Sequence, residues 1–411
     1  MTITIGRFTI GRPAPASAAI LLSLLAMRAA MAQAPADPGV TATEIKLGQT
    51  APYSGPVSAY GTFGRASQAY FAMVNDRGGV NGRRIDLVVA DDGFSPPKAV
   101  EQTRRLVEAD GVFAMFASVG TATNLAVRKY LNQRRVPQLL LQSGIAKFND
   151  PKDFPWSLSG LPNYETEVKA FAKHILSARP HGKVAILYQN DDFGKEYLAG
   201  LEVGLGARAK EMLVGAQSFE LSDPTVESQV IALRGSGADV LVIVATQKQT
   251  VQALRKARDL DWHPLTLVAF PAASIARTYI PAGIEASKGA VSSSVFVDPS
   301  DPAVQDEPEV EAYKAWMDKY YPSGDKADGL HVAAYVEGQL MVEMLKRCGA
   351  HVTRQCVMDQ AAHLRDVRVA MLRPGITVGT APDNYNLFKT LQMLTFDGHR
   401  LVPTGTPIAA E

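Results

Sequence analysis

The sequence predicts an α/β protein built from parallel sheets with helices on both faces. Three observations carry this. Short Val/Ile/Leu-rich runs alternate with longer amphipathic stretches from Ile45 onward, as βαβ units do. The alternation breaks in a Pro- and Asn-rich segment, Phe148–Trp156 and Leu161–Tyr164, and then starts again. The chain has 411 residues, enough for two domains of ordinary size.

Taken in order, the first unit opens with a strand at Ile45, a Pro/Gly-rich loop and a helix from Tyr60 to Asn75. A strand at Arg84–Ala90 leads through Asp91–Ser95 into a helix over Pro96–Glu108, with Ser95 as N-cap and Pro at the first helical position. Strand Val112–Ala117, helix Thr121–Gln133 and strand Pro137–Gln142 complete the unit. After the break come helix Tyr164–Ala178, strand Lys183–Tyr188, helix Gly194–Lys210 and strand Glu211–Phe219. Helix Thr225–Gly235, strand Asp239–Ala245, helix Thr250–Leu260 and strands Leu265–Ala269 and Gly289–Val295 follow. The last third differs: helices Val310–Tyr321, Leu330–Arg347 and Asp359–Leu364, then a hairpin made by Leu391–Phe396 and Leu401. This tail must dock on one or both units.

The first residues read as a secretory signal. Arg7 and Arg12 precede the apolar run Ala18–Met27, and Ala32-Gln-Ala34 supplies a small-x-small cleavage site, so residues 1–34 are expected to be removed. Cleavage takes away Arg7, Arg12 and Arg28 and no acid, which turns 42 basic residues into 39 against 41 acidic, a net charge of −2. No cysteine lies near the cleavage site and no later apolar run has spanning length, so a free periplasmic protein is expected. The near-neutral charge and the absence of a Lys/Arg block with interleaved aromatics argue against a nucleic-acid partner. Cys348 and Cys356 have a spacing that permits a disulfide and does not require one.

No catalytic constellation survives a search of the motifs. Gly204–Ala209 has the glycine spacing of a dinucleotide loop but falls late in a helix, where glycines terminate helices. Ser95-Pro-Pro-Lys98 lacks the companion motifs of a serine acyl-enzyme. Asp91-Asp92 and Asp191-Asp192 are better read as caps on the helices that follow than as acid/base pairs. The seven histidines are scattered, and no Cys/His pair has metal-ligand spacing, so neither cofactor nor metal is implied. What remains are polar and aromatic loops at strand ends: Tyr53–Tyr60, Ser118–Thr123, Gln142–Gly144, Asn190–Phe193, Thr246-Gln247 and Phe270-Pro271. Polar groups just before helices suit a carboxylate, and nearby aromatics suit an apolar body. This is the signature of a binding site without a reaction.

Several stretches together carry a family resemblance: Ser54–Gly61, Asn75–Gly82, Asp91-Asp92 with Pro97, Tyr188–Lys195, Ser236–Asp239 and Leu254–Ala257. On these the chain resembles the type I periplasmic solute-binding proteins of ABC importers, the leucine/isoleucine/valine-binding class. The resemblance implies two doubly wound parallel-sheet lobes joined by a three-crossover hinge and closing on ligand. Lobe 1 is then residues 40–162 plus 294–385, and lobe 2 residues 163–293 plus 386–411. It further implies a monomer that hands a small-molecule ligand to an inner-membrane ABC permease, and no enzymatic activity.

The resemblance also implies a ligand site. Tyr60 matches the tyrosine lining the side-chain pocket, and Thr121 falls where a serine holds the ligand carboxylate and amine. Gln142 and Gly144 fall near the next two contacts, with Ser143 able to take over the hydroxyl role, and Phe193 matches an aromatic of the closing lobe. Two positions depart: Thr246 replaces a tyrosine, and Phe270 replaces the glutamate that pairs with an ammonium. A charge-free aromatic wall there implies an aromatic or related organic acid rather than an amino acid. The alternative is a branched-chain amino acid or amide whose ammonium is met by Asp191 or Asp192.

Overall fold

The computed structural model describes residues 37–409. The expected signal segment, 1–34, lies outside the described residues. The first sheet runs in the order β2-β1-β3-β4-β5 and is entirely parallel, made from β1 (Glu44–Ala51), β2 (Arg84–Asp91), β3 (Ala114–Phe116), β4 (Gln138–Leu141) and β5 (Ser157–Ser159). Its strands are linked by α1 (Gly61–Asp76), α2 (Pro96–Glu108) and α3 (Thr121–Gln133). Ile45 faces Ile85 and Leu47 faces Leu87 across β1 and β2, so one buried register aligns the apolar side chains. The ring of Phe71 on α1 meets that of Phe116 on β3 at 5.2 Å, which seats the helix on the sheet.

The second sheet has the order β12-β11-β10-β9-β8-β6-β7. Its parallel strands are β6 (Val184–Gln189), β7 (Leu213–Phe219), β8 (Val240–Val244), β9 (Leu265–Val268) and β10 (Val291–Ser294). β11 (Thr390–Phe396), β12 (Leu401–Pro403) and β13 (Ile408–Ala409) add antiparallel pairs at one side. The connecting helices are α4 (Tyr164–Ala178), α5 (Asp192–Leu205), α6 (Glu227–Gly235) and α7 (Gln247–Asp259). All five residues of β8 are buried, as expected for a central strand covered on both faces.

The tail divides between the two lobes. α8 (Pro308–Tyr320), α9 (Gly329–Arg347) and α10 (Arg354–Ala361) return to the first sheet. Trp316 Nε1 donates to the Ala69 carbonyl at 3.4 Å, and Arg354 Nε donates to the Phe113 carbonyl at 2.8 Å. The chain therefore passes between the lobes after β5, after β10 and before β11. Cys348 and Cys356 are joined by a disulfide between the end of α9 and the start of α10.

Most expected elements are present within a residue or two, and the differences have local causes. The helix expected over Gly194–Lys210 stops at Leu205 because Gly206 turns to φ +59°. The helix expected at Asp359–Leu364 begins at Arg354, where the Thr353 side chain accepts from the Cys356 N–H at 3.1 Å. Ser157–Ser159 forms a short strand between the two loop stretches Phe148–Trp156 and Leu161–Tyr164. Ser95 precedes α2 but makes no side-chain cap. Asp91 does not cap α2 either. Its Oδ1 accepts from the N–H groups of Tyr53 (2.8 Å), Ser54 (3.2 Å) and Gly93 (3.0 Å), and Ser54 Oγ donates to Oδ2 at 2.6 Å, so it clamps the loop after β1. Asp191 caps α5 as expected, accepting from Phe193 and Gly194.

α9 is buried nearly all round, and its Gly338 packs against Tyr70 of α1. A Cβ there would lie 2.3 Å from the Tyr70 ring, which itself packs edge-on against Tyr335 at 5.3 Å. Gly338→Ala is expected to lower unfolding stability by about 1–3 kcal/mol through overpacking, measured by urea denaturation.

Candidate functional site

A cavity opens where the carboxyl ends of both sets of parallel strands meet. The segments after β1, β2, β3 and β4 contribute Tyr60, Phe94, Thr121 and Gln142; those after β6, β8, β9 and β10 contribute Phe193, Thr246, Phe270 and Phe296. The cavity measures ≈ 130 Å³, close to the roughly 150 Å³ that accommodates a benzene ring.

Of the eight residues singled out in the sequence, six line this cavity: Tyr60, Thr121, Gln142, Phe193, Thr246 and Phe270. Ser143 and Gly144 stand behind it. Ser143 is fully buried, with its hydroxyl 2.9 Å from that of Thr121. Gly144 packs against Tyr164, a cavity residue at the start of α4 whose N–H donates to the Gly144 carbonyl at 2.9 Å. Burial drives the Tyr164 phenol well above its ordinary range, so it stays neutral and available as a donor. Gly144 has no room for a side chain: a Cβ would lie 2.0 Å from the Pro162 carbonyl and 2.7 Å from the Tyr164 ring.

Helix starts surround the cavity, and they differ in how their free N–H groups are met. α5 is capped by Asp191, α9 (from Gly329) by Asp328 and α4 by Asn163. At α7 Thr246 supplies no side-chain cap, its hydroxyl being held by Gln249. α3 likewise has none. Gly120 precedes it with φ +105° and no side chain to cap with, so its first N–H groups face the cavity beside Thr121, whose hydroxyl is shared with Ser143.

The aromatic walls form two groups. Phe193 packs on Tyr164 (5.1 Å) and Tyr197 (5.4 Å), and Phe270 packs on Phe296 (5.9 Å). Thr246 Oγ1 donates to Gln249 Oε1 and so is committed to its own helix. Gln142 Nε2 donates to Glu337 Oε1, a fully buried carboxyl of α9 that burial pushes far above the usual range.

The wall is not free of charge, which corrects the sequence expectation. Asp191 and Asp298 both line the cavity. Asp191 is committed to the α5 N–H groups and to Gln189 Nε2 at 2.5 Å. Asp298 accepts from Ser300 N–H (2.9 Å), Ser300 Oγ (2.6 Å) and Ile275 N–H (3.2 Å), and burial raises its pKa. Asp192 is not on the cavity wall; it pairs with Lys147 at 3.4 Å. Asp298, Phe296 and Tyr164 were not singled out as site residues from sequence. Phe296 follows a predicted strand end and Tyr164 opens a predicted helix, and those positions were the available signals.

Bonds also cross from one lobe to the other. The Ala146 N–H donates to Glu196 Oε1 at 3.0 Å, and Arg277 meets the buried Asp328 at 3.1 Å. Among the described residues no group of three or more His, Cys, Asp or Glu could hold a metal, and no helix is long and apolar enough to cross a membrane.

Two α/β lobes thus face one cavity with the carboxyl ends of their parallel strands. The profile of the periplasmic binding protein family matches residues 44–389, and the chain belongs to that family. A Leu/Ile/Val-binding protein homolog from Brucella abortus (strain 2308) is 25% identical over 262 residues, covering 61% of this chain. The match spans 62% of that relative's length. A branched chain amino acid ABC transporter structure from Thermus thermophilus with bound valine superposes with a TM-score of 0.80 at 18% identity, covering 90% of this chain and 98% of that one. A fatty acid ABC transporter substrate-binding protein from Thermomonospora curvata superposes at 0.72 with 21% identity, covering 92% and 95%.

Burial raises the Glu196 carboxyl from its ordinary value near 4.5 to about 7, and does the same to the buried Glu167. The folded protein thus holds protons that the unfolded chain has released between pH 4.5 and 7. Stability from these groups is full below pH 4.5 and is lost as pH rises to 7. The melting temperature is expected to fall between pH 5 and 7.5 in differential scanning calorimetry, with a shallower fall in Glu196→Gln. An equal slope in that variant would show that Glu196 does not titrate in this range.

Proposed function

We propose that this is a periplasmic solute-binding protein that delivers a small carboxylate, an aromatic or related organic acid, to an inner-membrane ABC importer by closure of the two lobes. The observation that carries the reading is the uncapped start of α3. Its free N–H groups, with Thr121 and the neutral Tyr164 beside them, offer hydrogen-bond donors and a positive dipole end to an anion. Gln142 stands at the same end, while Tyr60, Phe193, Phe270 and Phe296 supply faces for a ring. Ser143 and Gly144 act from behind, Ser143 through the Thr121 hydroxyl and Gly144 by accepting the Tyr164 N–H. Phe270 brings a ring, not a carboxylate, to its side of the cavity, and the cavity's two acids are engaged by donors of the protein itself. An ammonium buried there without a free counter-charge costs several kcal/mol. The cavity suits a one-ring ligand; lobe boundaries near residues 162, 293 and 385 and a monomeric, periplasmic state accompany this reading.

A second reading is favoured by one observation: Asp191 reaches the cavity. A branched-chain amino acid or amide could place its nitrogen there, in line with the Leu/Ile/Val-binding relative and the valine-bound structure.

Thermal shift separates the two. Benzoate or cinnamate at 100 times its Kd is expected to add about 2.7 kcal/mol to the mature protein, with leucine and valine giving almost none. A shift with leucine and none with any organic acid transfers the function to the second reading. Phe270→Glu is expected to weaken a carboxylate-only ligand by placing a like charge in the cavity. Unchanged affinity by titration calorimetry would remove Phe270 from the ligand's surroundings.

A further inference from the structure

Beneath the cavity wall of the second lobe lies a carboxylate that faces no ligand. Glu167, in the first turn of α4, is 1% exposed and does not line the cavity. Three donors from three different segments converge on it. The Phe270 N–H lies 3.1 Å from both of its oxygens, Ser293 Oγ of β10 donates to Oε1, and the Tyr197 hydroxyl of α5 donates to Oε2. Tyr197 in turn carries the aromatic group of the other wall, with its ring 5.1 Å from Tyr164 and 5.4 Å from Phe193.

Burying a carboxylate is costly, and an apolar residue would fill the same space without that cost. What a carboxyl group adds is two oxygens that together meet an N–H and two hydroxyls at once. Phe270 follows β9 through Ala269, and its backbone N–H would otherwise be a buried orphan. The start of α4 also favours negative charge in its first turn.

We propose that Glu167 is a positioning residue for ligand binding: one buried carboxylate fixes the backbone of Phe270 and, through Tyr197, the packing of Phe193 and Tyr164. Both aromatic walls thereby share one anchor. The inference rests on the cavity being the ligand site, and not on which ligand occupies it.

The test uses Glu167→Leu and Glu167→Gln in the full mature chain. Glutamine keeps an oxygen for the Phe270 N–H, and the Ser293 and Tyr197 hydroxyls can turn to accept from its amide. Leucine keeps the volume and removes every acceptor. With cinnamate and leucine as probes, whichever the wild type binds, Glu167→Leu is expected to weaken binding about tenfold or more well below its melting temperature. Glu167→Gln is expected to stay within about threefold of wild type. In a Phe270→Ala background the leucine substitution is expected to lose most of its effect, because the two act through one contact.

Hydrogen exchange at the Phe270 amide supplies a readout that needs no ligand: slow in wild type and Glu167→Gln, fast in Glu167→Leu. If neither probe binds wild type, the ligand-class reading fails, and the exchange result alone decides the role of Glu167. Should Glu167→Leu melt lower yet keep wild-type affinity or a protected Phe270 amide, Glu167 is a core residue only and the proposal is overturned. A variant that does not fold leaves the glutamine exchange rate as the deciding value: a fast Phe270 amide there overturns the proposal as well.

Discussion

A parallel strand always delivers the chain to the same edge of its sheet, and both sheets of this protein turn that edge toward one cavity. Everything about the site follows from this constraint. Each strand end hands a loop and a helix start to the cavity, so the walls are made of loop side chains and of helix N-termini. Eight separate strand ends contribute through Tyr60, Phe94, Thr121, Gln142, Phe193, Thr246, Phe270 and Phe296. No such arrangement arises from a single segment.

That edge brings an electrostatic problem with it. Several positive helix ends around one small cavity would make it indiscriminately anion-binding, and the protein meets most of them internally. Asp191, Asp328 and Asn163 cap three. The starts of α3 and α7 carry no side-chain cap. At α3 the N–H groups stand beside Thr121, so a ligand's charged group is directed there with its body against the rings. The acids that line the cavity are part of this internal accounting, since Asp191 and Asp298 are held by the protein's own donors.

Polar contacts link the lobes across the cavity. Ala146 to Glu196, Lys147 to Asp192 and Arg277 to Asp328 each join residues from the two sides of the cavity. Lys147–Asp192 is half exposed and contributes little on its own, whereas Asp328 is buried and needs its cation. Such a set suits an equilibrium between open and closed forms that a ligand shifts by its extra contacts in the closed one.

By itself the sequence determined the elements and the edge. Apolar runs with local capping and turn residues mark strands and helices because those signals act within a few residues; helix Pro96–Glu108 and helix Thr121–Gln133 were legible to the residue. Family-like stretches then pointed to Tyr60, Thr121, Gln142, Phe193, Thr246 and Phe270, which the fold does gather around the cavity. What the tertiary structure decided is every property that needs residues distant in sequence. Asp91 looked like a helix cap and is a loop clamp, because its donors come from Tyr53 and Ser54. Ser143 and Gly144 do not line the cavity; they pack behind it, against Thr121 and Tyr164. Asp298 reaches the cavity, and Glu167 holds Phe270 across 103 residues of chain. Local patterns report local backbone preference; charge balance and wall geometry depend on which donors arrive from elsewhere, and only folding brings them.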